Sequence, residues 1–270
     1  MAAIAQTHSI SARIIRSAVV LAIGLAASLG IAPMLRALGL HDWSKHTFGS
    51  NGFYELFITS VFVLVLVSTM AMWRSGLARA LDALAIARFS PRGCLVSVVA
   101  IAAGLAVLLL AGAKYTPQPP GALLIFGVIG PFVEEVQFRG FLFRQMRRWG
   151  GAPFWVAAVL ASLAFGAGHF YAGNSLADSL MNSTITFAGG MLFCWLVERW
   201  NSIWPGFIIH AGLNLVWSLF ALGENAVGGK MGNLARLATL VVMIVLTALL
   251  APRSRRGARV TADASGKKAA

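Results

Sequence analysis

The chain has 270 residues, of which 58% are hydrophobic and 11% are charged, and its mean hydropathy is +0.77. A soluble globular domain carries about 25% charged residues, so this composition excludes an ordinary soluble protein. The net charge of +13 does not indicate a nucleic-acid binder, because Lys and Arg fall between the apolar runs and after the last one. The composition predicts an all-α fold, a polytopic membrane helical bundle, with membrane lipids and no nucleic acid among its partners.

The apolar runs are long enough to predict about eight transmembrane helices. In chain order they cover approximately residues 17–35, 53–73, 93–113, 121–148, 153–171, 183–197, 203–222 and 234–251. A short arginine-rich stretch between the second and third runs is predicted to lie along the membrane interface. We therefore expect a polar N-terminal segment (1–16), a single transmembrane domain (17–251) and a basic, disordered C-terminal tail (252–270).

The distribution of basic residues predicts the orientation of the chain. With the N-terminus inside, 17 of the 22 Lys and Arg residues fall on the cytoplasmic side and five on the other side. Short cytoplasmic loops carry an excess of Lys and Arg, so both termini are predicted to be cytoplasmic. The short loops and the abundance of Ala, Gly and Arg favour a multi-pass protein of a bacterial inner membrane.

The fourth apolar run contains two adjacent carboxylates, Glu134 and Glu135, followed by Arg139. A charged side chain at the centre of a membrane helix costs about 2.5 to 3.5 kcal/mol on insertion scales, so this cluster requires either a structural or a chemical reason. Glu135 precedes Arg139 by four residues, which is the favourable order for a helical ion pair. Since one arginine cannot neutralise two carboxylates, Glu134 is predicted to be available for chemistry, although an ion-paired packing cluster is the structural alternative.

Two histidines also lie inside predicted helices. His169 is near the end of the fifth run, four residues after Phe165, and His210 is in the seventh run, four residues before Asn214. Residues four apart share one helix face, so His210 and Asn214 can present an imidazole and an amide to one point. Each histidine taken singly is more typical of a hydrogen-bonded packing residue.

If these polar faces converge, they supply a base for water, a second proton-handling group and donors for an oxyanion, which favours hydrolysis of an acyl or peptide bond. Alternatively, Glu134, His169 and His210 could hold a zinc ion with one open position. The chain lacks an HExxH motif, and the isolated Cys94 and Cys194 indicate packing residues and no metal or redox site. No other cofactor is indicated.

A serine or threonine nucleophile is not supported by the pattern. Ser162, Ser183 and Thr184 lie in apolar surroundings, but no GxSxG elbow is present and no serine has an acid placed with a histidine. We interpret these hydroxyl groups as helix-packing residues.

Three motifs together resemble a known family. EEVQFR at 134–139, FGAGH at 165–169 and HAGLN at 210–214 match, in order and spacing, the EExxxR, FxxxH and HxxxN/D motifs of the CAAX prenyl protease type II and bacteriocin-processing (CPBP, or Abi) family of intramembrane proteases. The flanking text FRGFLF and ERWNSIWPGFIIHAGLN is similar as well. The resemblance covers a core of about residues 121–217.

The resemblance implies roles for the motif residues. Glu134 would activate the attacking water together with His169, and Glu135 and Arg139 would support the site. His210 and Asn214 would stabilise the tetrahedral oxyanion. Both a metalloprotease and a metal-independent glutamate mechanism are described for the family, and its substrates include prenylated and other membrane-associated peptides or proteins.

Two other functions compete with an intramembrane endopeptidase. Buried Glu, His and Arg also mark ion paths, so a proton-coupled transporter is one alternative, although no inverted repeat is visible. A catalytically silent bacteriocin-immunity or scaffold protein is the other. The motifs are intact, which favours the enzyme.

Overall fold

The computed structural model describes residues 2–220, 222 and 229–252. Within these residues the chain is helical and has no β-strand, which confirms the predicted all-α membrane bundle. The predicted disordered tail lies outside the described residues from position 253 onward. The α-helices are α1 (Ala2–Leu25), α2 (Ile31–Ala37), α3 (Leu40–Phe48), α4 (Gly52–Trp73), α5 (Leu77–Ala83), α6 (Pro91–Leu110), α7 (Pro120–Leu124), α8 (Gly130–Glu134), α9 (Arg144–Arg148), α10 (Phe154–Gly168), α11 (Leu176–Trp200), α12 (Trp204–Leu219) and α13 (Lys230–Leu250).

Three π-helical segments join consecutive α-helices into longer rods. Ala26–Gly30 joins α1 to α2, Ile125–Ile129 joins α7 to α8, and Glu135–Phe143 joins α8 to α9. We call the continuous stretch Pro120–Arg148 the central helix. π-helical turns are rare and occur frequently at functional sites, and the longer of the two in the central helix begins at one of the predicted site carboxylates.

Among the residues that the structure describes, six helical stretches are long and apolar enough to cross a membrane. They are Ile10–Ala37, Gly52–Trp73, Pro91–Leu110, Pro120–Arg148, Leu176–Trp200 and Lys230–Leu250. The fifth and seventh predicted spans correspond to α10 and α12, which have 15 and 16 residues and are shorter than the roughly 20 needed to span a bilayer. The predicted number of eight is therefore approximate. The first helix also begins earlier than predicted, at Ala2.

Hydrogen bonds at one end of the bundle show that α4 ends beside the end of the central helix and that α11 ends beside the end of α13. Trp73 at the end of α4 donates to Gln145 Oε1 at 2.8 Å, which places this helix end beside α9. Trp200 at the end of α11 donates to Thr247 Oγ1 of α13 at 3.2 Å. Arg144, Arg147 and Arg148 lie at the same end, which we call the basic end. Arg139 is one of the 17 basic residues predicted for the cytoplasmic side. In the structure it lies inside the bundle and is 1% exposed.

The core of the bundle surrounds the central helix. Residues 135–146 are all buried, and Phe141, Leu142 and Phe143 are at most 1% exposed where they join a cluster with side chains of α1, α4 and α10. Large apolar side chains such as Leu110 and Leu249 remain exposed on the outer helix faces. An apolar exterior around a polar interior site is the arrangement expected for a protein whose solvent is lipid.

A glycine sets the distance between α6 and α13. A Cβ at Gly104 would collide with the Thr239 side chain and would lie 2.8 Å from the Ala235 carbonyl oxygen. Because the backbone of α13 would have to move, Gly104→Ala is expected to lower the free energy of unfolding by about 1–3 kcal/mol. Gly189→Ala on α11 is the matched control, since a Cβ there meets no atom within 4 Å. Unfolding of both variants in one membrane mimetic measures the difference, and equal stabilities would contradict it.

Candidate active site

The buried centre of the site is an ion pair within the central helix. Arg139 Nη1 lies 3.0 Å from Glu135 Oε1, and the two side chains are 1% and 0% exposed. The pair has the i, i+4 spacing predicted from the sequence. An isolated buried charge is strongly disfavoured, so each of these residues compensates the charge of the other inside the bundle.

His210 of α12 contacts both glutamates of the central helix. Its Nδ1 is 2.9 Å from Glu135 Oε1, and its Nε2 is 3.6 Å from Glu134 Oε2. The first distance is that of a hydrogen bond, whereas the second is longer than one. The Glu134 side chain is 28% exposed, while Glu135 is fully buried. Of the two carboxylates, Glu134 is therefore the one accessible to a solvent molecule.

The partners of His210 determine where its proton lies. An ionised carboxylate only accepts hydrogen bonds, so His210 Nδ1 carries the proton that is shared with Glu135. The Nε2 atom then faces Glu134 and can either accept a proton or, in the imidazolium, donate one. With His210 protonated, the two carboxylates are balanced by one guanidinium and one imidazolium. One arginine alone leaves the cluster with a net negative charge.

Two aromatic rings enclose the guanidinium of Arg139. Its Cζ lies 4.0 Å from the ring centroid of Phe165 on α10 and 4.9 Å from that of Phe193 on α11. These distances allow cation–π attraction, which strengthens when the cation is desolvated. The same two rings also contact the His210 imidazole, at centroid distances of 5.9 and 5.8 Å. Phe165 and Phe193 thus contact both side chains that pair with Glu135.

His169 lies at the C-terminal end of α10, where the backbone leaves the helix. Its Nδ1 is 2.9 Å from the Phe165 carbonyl oxygen, and its ring packs edge-on against the Phe165 ring at 4.7 Å. Because a carbonyl oxygen can only accept, Nδ1 must donate, which leaves Nε2 as the acceptor in the neutral ring. The fully buried Asn182 donates to the His169 carbonyl oxygen at 3.0 Å. Tautomer and backbone position are therefore both set by neighbouring groups.

A cavity of about 630 Å³ lies beside this cluster. His169, His210 and Asn214 line it together, and Asn214 Nδ2 is also 3.4 Å from the Phe126 carbonyl oxygen. The other walls are mainly apolar side chains of α11, α12 and α13, with the exceptions of Thr186, Ser218 and Arg236. The structure brings together the two histidines and the asparagine as the sequence predicted, and His210 connects this cavity to the two glutamates.

The predicted zinc ligands do not form one coordination group in this arrangement. Zinc ligand atoms lie about 2.0–2.2 Å from the ion, which suits Glu134 Oε2 and His210 Nε2 at 3.6 Å from each other. His169 does not complete the set, because no group of three His, Cys, Asp or Glu side chains within the described residues could hold a metal ion. The Nδ1 atoms of His210 and His169 hydrogen bond to Glu135 and to the Phe165 carbonyl oxygen, so Nε2 is the ring atom of each histidine that could bind an ion. No step of the mechanism below passes through a metal.

Sequence reasoning missed three residues that shape the site. Phe193 lies inside the sixth predicted run and Asn182 directly precedes it, and neither was predicted to belong to the site, although an amide at the edge of an apolar run is a detectable signal. Gly206 was missed as well: a Cβ there would lie 3.3 Å from Glu135 Oε2, so only glycine lets α12 approach this carboxylate without displacement. Glycine one turn before His210 was the available signal.

Three of the five predicted packing residues are buried, whereas Ser183 is half-buried and Thr184 is exposed. Cys94 and Cys194 are free and buried. Ser162 is 1% exposed beside Gly190, and its hydroxyl is not among the site contacts described above. These positions are consistent with the interpretation that the serines and cysteines take no part in the chemistry.

Comparison with known proteins gives one match. Residues 116–216 match the family model described as "Rce1-like: Type II CAAX prenyl endopeptidase Rce1-like", which covers a little over a third of the chain. No curated protein and no solved structure matches the chain. The matched range contains all six predicted site residues and supports protease activity of the intramembrane CAAX type. It confirms the family resemblance predicted from the three motifs: the central segment of the chain is similar to the Rce1-like type II CAAX prenyl endopeptidases.

Proposed function

We propose that this protein is an intramembrane endopeptidase that hydrolyses a peptide bond with water activated by Glu134. The observation that carries the proposal is the position of His210, which touches Glu135 at 2.9 Å and Glu134 at 3.6 Å while lining the cavity. The gap between Glu134 and His210 Nε2 allows one water molecule to hydrogen bond to both atoms. Such a water would lie at the cavity edge, next to two proton acceptors.

In the proposed reaction, the water oxygen attacks the carbonyl carbon of the scissile bond and its proton passes to Glu134. The carbonyl oxygen becomes an oxyanion that Asn214 Nδ2 stabilises by donating a hydrogen bond. Collapse of the intermediate breaks the carbon–nitrogen bond, and the proton held by Glu134 is transferred to the leaving amine. His169, with Nε2 free to accept, assists in orienting the water.

Glu135 and Arg139 have a supporting role in this proposal. Glu135 accepts from His210 Nδ1, so it holds the imidazole in the tautomer and orientation that the reaction requires. Arg139 forms the buried ion pair with Glu135, and its guanidinium is held between the rings of Phe165 and Phe193. The arrangement resembles the general pattern in which a buried acid orients a catalytic imidazole.

The shape of the cavity supports a substrate with an apolar segment. Helices α11 and α13 meet near their C-terminal ends at Trp200 and Thr247, while the cavity occupies the space between their middle portions, lined by residues such as Leu192 and Leu240. Substrate entering from the bilayer between these helices would bury its apolar part there and place the scissile bond at His210. A prenylated or otherwise membrane-associated peptide or protein has this character.

In the proposed orientation the basic end faces the cytoplasm of a bacterial cell, with both described chain ends on that side. The excess of Lys and Arg at this end supports it. Glu134 precedes Arg144 by ten residues, or about 15 Å along a helix, so the chemistry would take place near the middle of the bilayer. Substrates would therefore reach the site from within the membrane.

The test is cleavage by the purified full chain in lipid nanodiscs. The substrates are peptides with and without an S-prenyl cysteine near a free C-terminus, and mass spectrometry locates the cleavage sites. The His210→Ala variant is the negative control. Specific cleavage that is lost in His210→Ala supports the proposal, and a zinc chelator added in parallel measures any metal requirement. If no peptide is cleaved and the protein catalyses solute counterflow in liposomes, the result would contradict the protease and favour a transporter.

A further inference from the structure

A second cavity, with mainly polar walls, lies at the basic end, away from the candidate active site. It has a volume of about 270 Å³, close to the lower limit of about 300 Å³ for small-ligand sites. It lies between the C-terminal ends of the central helix and of α11. Its lining residues are Phe143, Arg144, Arg147, Arg148, Val197, Glu198 and Asn201. Three of these seven carry a guanidinium group and one carries a carboxylate, so the walls have an excess of positive charge.

The hydrogen bonds of these arginines leave that charge uncompensated. Arg144 Nη1 and Arg148 Nη2 both donate to one neutral acceptor, Asn201 Oδ1, at 2.9 and 3.0 Å. Arg147 Nη2 is 2.5 Å from Glu198 Oε1, the one carboxylate in the lining. Two guanidinium groups therefore share an amide oxygen, and neither is paired with an acid of this cavity.

Arg144 is the most constrained of the three. It is 4% exposed, its Nε donates to the Ala83 carbonyl oxygen at 2.9 Å, and its Nη2 has no hydrogen-bond partner within the described residues. Arg147 likewise has a buried Nε without a partner there. Unpaired buried donors are costly and rare in native structures. A bound anion would accept hydrogen bonds from these donors, which have no protein partner within the described residues.

Helix dipoles do not reverse the positive net charge of this cavity. The C-terminal ends of α9 and α11 each contribute about half an elementary negative charge, which is less than the excess of two guanidinium groups over the carboxylate. The nearby Arg88 is already paired with Asp82 at 2.5 Å. The net field in the cavity therefore favours an anion.

The surroundings of the cavity indicate where this anion comes from. Trp149 follows Arg148 directly, and Trp73, Trp200 and Trp204 also lie near helix ends on this side of the bundle. Tryptophan is enriched at the level of lipid headgroups. Basic pockets between membrane helices bind the headgroups of anionic lipids, and arginine forms forked hydrogen bonds with phosphate.

We propose that Arg144, Arg147 and Arg148 form a phosphate-binding site, which takes the headgroup phosphate of an anionic phospholipid or a free phosphate ion. The site is separate from the proposed catalytic residues, and the proposal does not depend on protease activity. Two arms of the test distinguish the two sources. The purified chain in mild detergent is titrated with short-chain phosphatidylglycerol in one arm and inorganic phosphate in the other, with short-chain phosphatidylcholine as reference, at constant ionic strength.

The readout is the unfolding temperature as a function of ligand concentration. A saturable increase with phosphatidylglycerol but not with phosphate assigns the site to lipid, and the reverse assigns it to the free ion. Arg148→Gln, a change at an exposed residue that should fold, is expected to weaken the apparent Kd about tenfold, equivalent to about 1.4 kcal/mol. Glu198→Gln removes the acid that competes for Arg147 and is expected to tighten binding by about fivefold.

Arg92→Gln is the matched control, because Arg92 is exposed near the same end of the bundle but does not line the cavity. Its apparent Kd should equal that of the unchanged protein. The proposal is overturned if neither ligand gives a saturable shift. It is also overturned if Arg92→Gln weakens binding as much as Arg148→Gln does, since the effect would then be general surface charge.

Discussion

Glu134→Gln is expected to reduce peptide hydrolysis by about 10²–10⁴-fold, the usual contribution of a positioned general base, while leaving the stability of the protein nearly unchanged. The amide keeps the size of the side chain but cannot accept the proton of water. Glu134 has 28% of its side chain exposed and no hydrogen bond as short as that of Glu135, so its substitution should not disturb the core. Turnover of the cleaved peptide and the unfolding temperature are the two measurements.

Asp178→Asn is the control for the loss of one acidic charge, because Asp178 lies in the first turn of α11, is only partly buried and does not line the cavity. It should retain full activity. Glu134→Asp keeps a carboxylate but withdraws it from the water position, so partial activity is expected. Retention of more than a tenth of the activity by Glu134→Gln would remove Glu134 from the proposed role.

The largest effect on stability is expected from Arg139→Met. This change leaves Glu135 buried without its guanidinium partner, and breaking a buried ion pair in this way costs about 3–5 kcal/mol. The ring contacts of Arg139 with Phe165 and Phe193 are lost as well. Activity should fall together with stability, because His210 is oriented by the same carboxylate. The free energy of unfolding in a membrane mimetic is the quantity to measure.

A double variant separates the charge effect from packing. Glu135→Gln combined with Arg139→Met removes both charges, so it should be more stable than Arg139→Met alone, although inactive. Arg88→Gln is the matched control for a partly exposed ion pair, Arg88 with Asp82 at 2.5 Å, and should cost about 1 kcal/mol or less. If the double variant is no more stable than Arg139→Met, the buried ion pair is not the source of the loss.

Local patterns were sufficient for much of the fold. Uninterrupted apolar runs predicted the long helices, because burial in lipid requires every residue of a span to be apolar or paired. The ends were less accurate: α10 and α12 are shorter than predicted and α1 begins earlier. The π-helical stretch Glu135–Phe143 could not be expected from composition, since its winding depends on how the central helix packs against its neighbours.

The site residues could be named in advance for a different reason. Charged and imidazole side chains are costly in hydrocarbon. The sequence alone therefore indicates a function for Glu134, Glu135, Arg139, His169 and His210. The i, i+4 pairing of Glu135 with Arg139 also followed from helix geometry alone.

Which group each of them touches depended on the packing of separate helices. Consecutive helical residues point about 100° apart, so helix geometry alone predicts that two adjacent glutamates face different directions. Both nevertheless reach His210, because one imidazole has nitrogens on two sides and α12 comes close to Glu135 at Gly206. Glu135 and His210 are 75 positions apart in the chain. Helix periodicity and hydropathy relate residues that lie within a few turns of one another, so they cannot specify a contact over that separation. The packing of whole helices determines which side chains meet.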